Sequence, residues 1–118
     1  MTTRATIDGY FERLREREGW EAYLADDVVF TSLTSPTKTV SGKEPSLQAT
    51  RRFYGSIAHF DVRELLVEGD RAFALTHYDI QPPNGSPSFE GDVAELFTVR
   101  DGRIASFTIC FDTAPYPK

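Results

Sequence analysis

The stretch VAELFTVRDGRIASF, residues 93–107, decides how this chain folds. Val93, Glu95, Phe97 and Val99 recur at a two-residue spacing, which marks a strand with one buried face. RDGR at 100–103 then supplies the Asp-Gly pair that a tight hairpin demands. The segment therefore reads as two strands, near 88–100 and 103–113. Toward the N-terminus two more strands fall near 58–68 and 71–81, joined by a second Gly/Asp turn, EGDR at 68–71. The PPNGSP joint at 82–87 is longer and is expected to be a loop tip or lid edge.

Before residue 58 the period changes from two to 3.6. Ile7, Tyr10, Phe11 and Leu14 share one helix face, with Thr3 or Thr6 as the cap and Gly19 as the stop. Trp20, Tyr23 and Leu24 predict a short second helix ending at Asp26-Asp27, followed by a strand at 28–33. TSPTKTVSG, 34–42, reads as loop. A third helix starts near Pro45 and turns Leu47, Phe53, Tyr54 and Ile57 inward. Helices followed by a meander make an α+β layout. At 118 residues the chain is expected to be a single domain, 1–118.

Bulk properties exclude several functions. A net charge of −5, with no basic run beyond Arg51-Arg52, argues against a nucleic-acid surface. The sequence has no long apolar run for a membrane span and no signal-like N-terminus, so a cytoplasmic location is expected. The lone Cys110 fits a reducing compartment. Two histidines without ligand spacing, and the absence of a glycine-rich phosphate loop, lead to an expectation of no metal and no cofactor.

Strand parity then sorts the polar residues. If the large apolar side chains mark the helix-covered face, Phe73 and Leu75 carry His77 and Asp79 with them. By the same rule Val93 and Phe97 carry Glu95, Val28 and Phe30 carry Ser32, and Phe107, Ile109 and Phe111 form an apolar row. An imidazole and two acids on a dry face would be poised for proton transfer near neutral pH.

In order along the chain, YFERL (10–14), YLADDVVFTS (23–32), RFY (52–54), DRAFALTHYDI (70–80) and VAELFTVRDGRIASF (93–107) resemble the nuclear transport factor 2-like superfamily. The likeness is to its SnoaL-like polyketide cyclase and ketosteroid isomerase branch. That resemblance implies a cone: a bent antiparallel sheet wrapped around three helices, enclosing an apolar pocket, commonly in a homodimer formed through the outer sheet face. Tyr10 falls at the oxyanion-hole tyrosine of ketosteroid isomerases, and Tyr54 at the tyrosine that supports it. Glu95 falls at the protonated acid of that site, and Ser32 stands where the isomerases carry their base. His77 and Asp79 fall at two positions of the limonene-epoxide hydrolase-like branch.

The expected function is cofactor-independent acid–base catalysis, of isomerase, cyclase or lyase type, on a small and largely apolar metabolite. Asp79 with His77 would be the base, and Glu95 and Tyr10 the donors. Ser32, Tyr54, Phe30, Leu75, Phe97, Phe107 and Ile109 would line the pocket. Epoxide-hydrolase-like water activation and a non-catalytic binding or dimerisation module are the alternatives.

Overall fold

The structure, a computed structural model, describes residues 2–34 and 38–112. Helix α1 spans Thr3–Glu16 and presents Ile7, Tyr10, Phe11 and Leu14 as its buried stripe. Its cap is Thr2, whose Oγ1 accepts from the Ala5 amide at 3.1 Å, one residue before the expected Thr3. The helix stops at Arg17, in the left-handed region at φ 61°, ahead of Gly19.

The expected second helix is one 3-10 turn, Trp20–Tyr23, so among the described residues two α-helices replace three. The i, i+3 pair Trp20 and Tyr23 fits a 3-10 turn as well as an α-helix. Strand β1, Leu24–Ser32, starts at once and holds Asp26 and Asp27 as exposed strand residues. Gly9 lets this corner close, since a Cβ there would stand 2.7 Å from Cζ of the Tyr23 ring.

Part of the stretch read as loop is strand β2, Lys38–Ser41, paired antiparallel to β1. Only Val40 of its four residues is half-buried, too little to show a period. Helix α2, Lys43–Ser56, follows, and then strands β3 (Ile57–Glu68), β4 (Arg71–Ile80), β5 (Phe89–Arg100) and β6 (Arg103–Phe111). All four lie within two residues of their expected bounds.

The six strands form one curved, unclosed sheet in the order β2-β1-β6-β5-β4-β3. From β3 to β6 it is an antiparallel meander, but β1 joins β6 in parallel, so the sheet is mixed rather than wholly antiparallel. Hairpin turns dictate direction only between sequence neighbours, and β1 meets β6 across the chain. Register shifts at Ile57/His59 and Val62/Glu64 in β3, and at Thr98/Val99 in β5, bend the sheet. Among the described residues no helix is long and apolar enough to cross a membrane.

Helix α1 lies on the concave face over Ala72 and Ala74, both buried. Around it Tyr10, Phe11, Phe97 and Phe107 pack edge to face, the last two with ring centroids 4.6 Å apart. Such pairs contribute about 0.5–1.5 kcal/mol each beyond the area they bury. Helix α2 packs over β1 and β2, and the space between it and the sheet is not filled.

Candidate active site

The unfilled space is a cavity of about 420 Å³. Its walls are Phe30 and Ser32 of β1, Phe53 and Tyr54 of α2, Ile80 of β4, and Phe107, Ile109 and Phe111 of β6. Val93 and Glu95 of β5 line it too, with Pro82, Pro83 and Asn84 of the PPNGSP loop and the exposed Lys38 and Arg52 among its other lining residues. Strand alternation explains the composition, since the inward rows of β1, β5 and β6 are apolar apart from Ser32 and Glu95.

Glu95 is the buried carboxyl of this cavity, 1% exposed. The Tyr78 hydroxyl donates to its Oε2 at 2.9 Å, while Oε1 has no hydrogen-bond partner. Loss of water pushes the carboxyl up from 4.5 to about 7, against the opposing pull of the Thr76 and Tyr78 hydroxyls. Both protonation states are therefore accessible at neutral pH, with Oε2 held by Tyr78 and Oε1 making no hydrogen bond of ordinary geometry although the Thr76 hydroxyl faces the carboxyl.

A second polar pair stands nearby. The Tyr10 and Tyr54 hydroxyl oxygens are 2.5 Å apart. Tyr10 is fully buried and has no other hydrogen-bond partner among the described residues. Its proton must therefore go to the Tyr54 oxygen, or stay unsatisfied at a cost of about 1–3 kcal/mol. That leaves the Tyr54 proton free, and Tyr54 lines the cavity. Burial raises the pKa of both phenols, so they act as neutral donors. Stacking on Trp20, with centroids 4.0 Å apart, fixes the Tyr54 ring.

A wider recess of about 550 Å³ lies on the other side of Tyr54, rimmed by Arg15, Arg17, Arg51 and His59. It is larger and holds the half-buried Glu21, whose Oε1 is also without a hydrogen-bond partner, but its lining contains no fully buried carboxyl like Glu95, so the chemistry is better placed in the smaller cavity.

The expected constellation is brought together only in part. Phe30, Ser32, Tyr54, Glu95, Phe107 and Ile109 line the cavity as expected. Tyr10 does not line it and backs Tyr54 instead, which reverses the expected order of the two tyrosines. Phe97 is core beneath α1. His77, Asp79 and Leu75 are corrections: they stand on the outer face of the sheet, away from Glu95. The buried row of β4 is Ala72, Ala74, Thr76, Tyr78 and Ile80.

Size misleads there, because a strand lying under a helix needs small side chains, and the large Phe73 and Leu75 fall on the other side. Tyr78 and Thr76, which stand against Glu95, escape a reading by size for the same reason. The signal that finds them is register: Ala74 pairs with Glu95, and directly paired residues share a face.

Comparisons with known proteins agree with this fold. The sequence profile described as a SnoaL-like domain matches residues 7–107. Among curated proteins none matches the sequence. A solved NTF2-like protein of unknown function from Burkholderia pseudomallei superposes with a TM-score of 0.79 at 26% identity, covering 95% of this chain and 92% of that one. A Mesorhizobium loti protein described as a SnoaL-like polyketide cyclase gives 0.76 at 23% identity, covering 92% and 98%. An LEH-like epoxide hydrolase from M. tuberculosis gives 0.75 at 19% identity, covering 94% and 83%. At these identities the last two show a shared fold alone.

Proposed function

The chain belongs to the SnoaL-like domain family, and from that membership together with the cavity we propose that it is an acid–base enzyme acting on a small, largely apolar metabolite. The observation that carries this reading is Glu95: a buried carboxyl in the lining of a largely apolar cavity, with Oε1 making no hydrogen bond of ordinary geometry. Leaving a carboxyl oxygen buried without a full hydrogen bond is costly, which favours its retention for chemistry over a purely structural role.

With a pKa near 7, Glu95 takes a proton from a carbon beside a carbonyl and returns it elsewhere on the same substrate. Tyr54, relayed by Tyr10, donates to the oxygen on which negative charge develops. Tyr78 holds Oε2 and so aims the reactive oxygen. One group that both accepts and returns a proton suits isomerisation, cyclisation or elimination. Water activation by Asp79 would require that residue inside the chamber, and it stands outside.

A panel of small apolar ketones in D₂O, followed by NMR, tests the proposal. The protein should speed exchange of α-protons for at least one member. Glu95→Gln should abolish that exchange while still binding, as read by quenching of Trp20. Exchange that is unchanged in the glutamine variant overturns the proposal.

We also propose that the outer sheet face pairs with a second copy of the chain. Leu66 is 61% exposed there, and it sits in one cross-strand row with Phe73 and Leu96.

A further inference from the structure

The outer face carries a second polar group that the cavity chemistry does not use. We propose that His77, Asp79 and Glu90 bind a divalent transition cation of the zinc type. His77 Nε2 stands 3.7 Å from Asp79 Oδ1 and 3.5 Å from Glu90 Oε1. The three ligand atoms lie within 4.8 Å of one another. They rise from adjacent strands β4 and β5, a rigid platform that fixes their spacing.

The imidazole separates this cluster from a patch of acids. His77 Nδ1 is 2.8 Å from Asp92 Oδ1, and a carboxylate only accepts, so Nδ1 carries the hydrogen. Nε2 is left as the metal-binding nitrogen, beside two carboxylate oxygens. At 3.5 and 3.7 Å those oxygens are too far for N–H···O bonds, which run about 2.7–3.2 Å. Ligand atoms sharing a tetrahedral ion with bonds of about 2.0–2.1 Å stand roughly 3.3 Å apart. Those two edges of the triangle need to shorten by only a few tenths of an ångström, and the third, between the two carboxylates and within 4.8 Å, closes by rotation of the exposed Glu90 side chain.

Asp92 then plays the part of the outer carboxylate that orients a ligating histidine. Imidazole in the donor set favours a zinc-like ion over magnesium or calcium.

Charge points the same way. Asp61, Asp79, Glu90 and Asp92 share this patch with two imidazoles and one guanidinium. Arg63 reaches Asp61 and Asp92, leaving Asp79 and Glu90 to the histidines. His59, on β3, places Nδ1 3.6 Å from Asp79 Oδ2 and is exposed enough to swing in as a fourth ligand. Sequence spacing hides the site, because His59 and His77 are brought to one face only by cross-strand pairing.

Cobalt(II) titration of the untagged chain, followed by its visible bands and by displacement with zinc, tests the assignment. One ion should bind per chain. Glu90→Gln and Asp79→Asn should each weaken binding at least tenfold with an unchanged circular dichroism spectrum. Asp92→Asn should weaken it by about 10–100-fold without removing a ligand. Cys110→Ser should leave it unaltered. No saturable binding at millimolar ion, binding indifferent to both carboxamide variants, or binding lost in Cys110→Ser overturns the assignment. None of those results bears on Glu95, whose exchange assay stands apart.

Discussion

Replacing Glu95 with glutamine should alter how stability depends on pH in a way that can be worked out beforehand. Burial raises this carboxyl from 4.5 to about 7, and each tenfold gain in proton affinity on folding corresponds to about 1.4 kcal/mol. Below the unfolded value both states hold the proton and stability is unaffected. Between the two values the unfolded chain has lost its proton while the folded chain keeps it. Rising pH therefore favours unfolding, by about 1.4 kcal/mol for each step of one in pH.

Above about 7 both states are ionised and the loss levels off at roughly 3 kcal/mol. Glutamine has the same shape and does not titrate. The stability difference between variant and parent should then grow by about 3 kcal/mol from acid to mildly alkaline pH, whatever constant offset the amide introduces. Urea unfolding followed by Trp20 fluorescence across this range measures it, with the m-value serving as the two-state check. Parallel stability curves would show that Glu95 titrates as a solvated acid, and the chemistry assigned to it would fall.

Tyr54→Phe removes the only acceptor of the buried Tyr10 hydroxyl among the described residues, so urea unfolding should register a loss of about 1–3 kcal/mol. The same variant should slow α-proton exchange while Glu95 still titrates near 7. Gly9→Ala forces a methyl group into the Tyr23 ring and should cost about 1–3 kcal/mol in thermal unfolding. Tyr23→Ala in the same chain should recover part of that loss, and no recovery would place the strain elsewhere. Leu66→Asp should turn a dimer into a monomer by light scattering with the circular dichroism spectrum unchanged. A parent that is already monomeric at tens of micromolar contradicts the outer-face proposal.

How much of this is legible in the sequence depends on how each strand is tied to its neighbour. β5 and β6 are joined by a two-residue turn, with Asp101 and Gly102 at φ 53° and 75°, and Arg100 pairs with Arg103. The turn alone would set Glu95 opposite Thr108; the register shift at Thr98/Val99 moves the pairing on to Ile109, and it is the apolar spacing of Phe107, Ile109 and Phe111 that marks their inner face in the sequence. β4 and β5 are joined by the longer PPNGSP loop, which leaves their relative parity open. There only side-chain size is left to sort the faces, and size puts His77 and Asp79 indoors.

The stripe of α1 is plain because four large residues at helical spacing admit one reading. The edge strand β2 is invisible because four mostly exposed residues carry no pattern. The Tyr78–Glu95 and Tyr10–Tyr54 pairs join positions 17 and 44 residues apart, and such contacts emerge only once the sheet and helices are assembled.

The most direct measurement is the carboxyl carbon resonance of Glu95, followed by NMR from acid to alkaline pH and assigned by its disappearance in Glu95→Gln. An interior acid facing an apolar chamber predicts a single inflection close to 7. A midpoint back at about 4.5, the value of a carboxyl bathed in water, contradicts it.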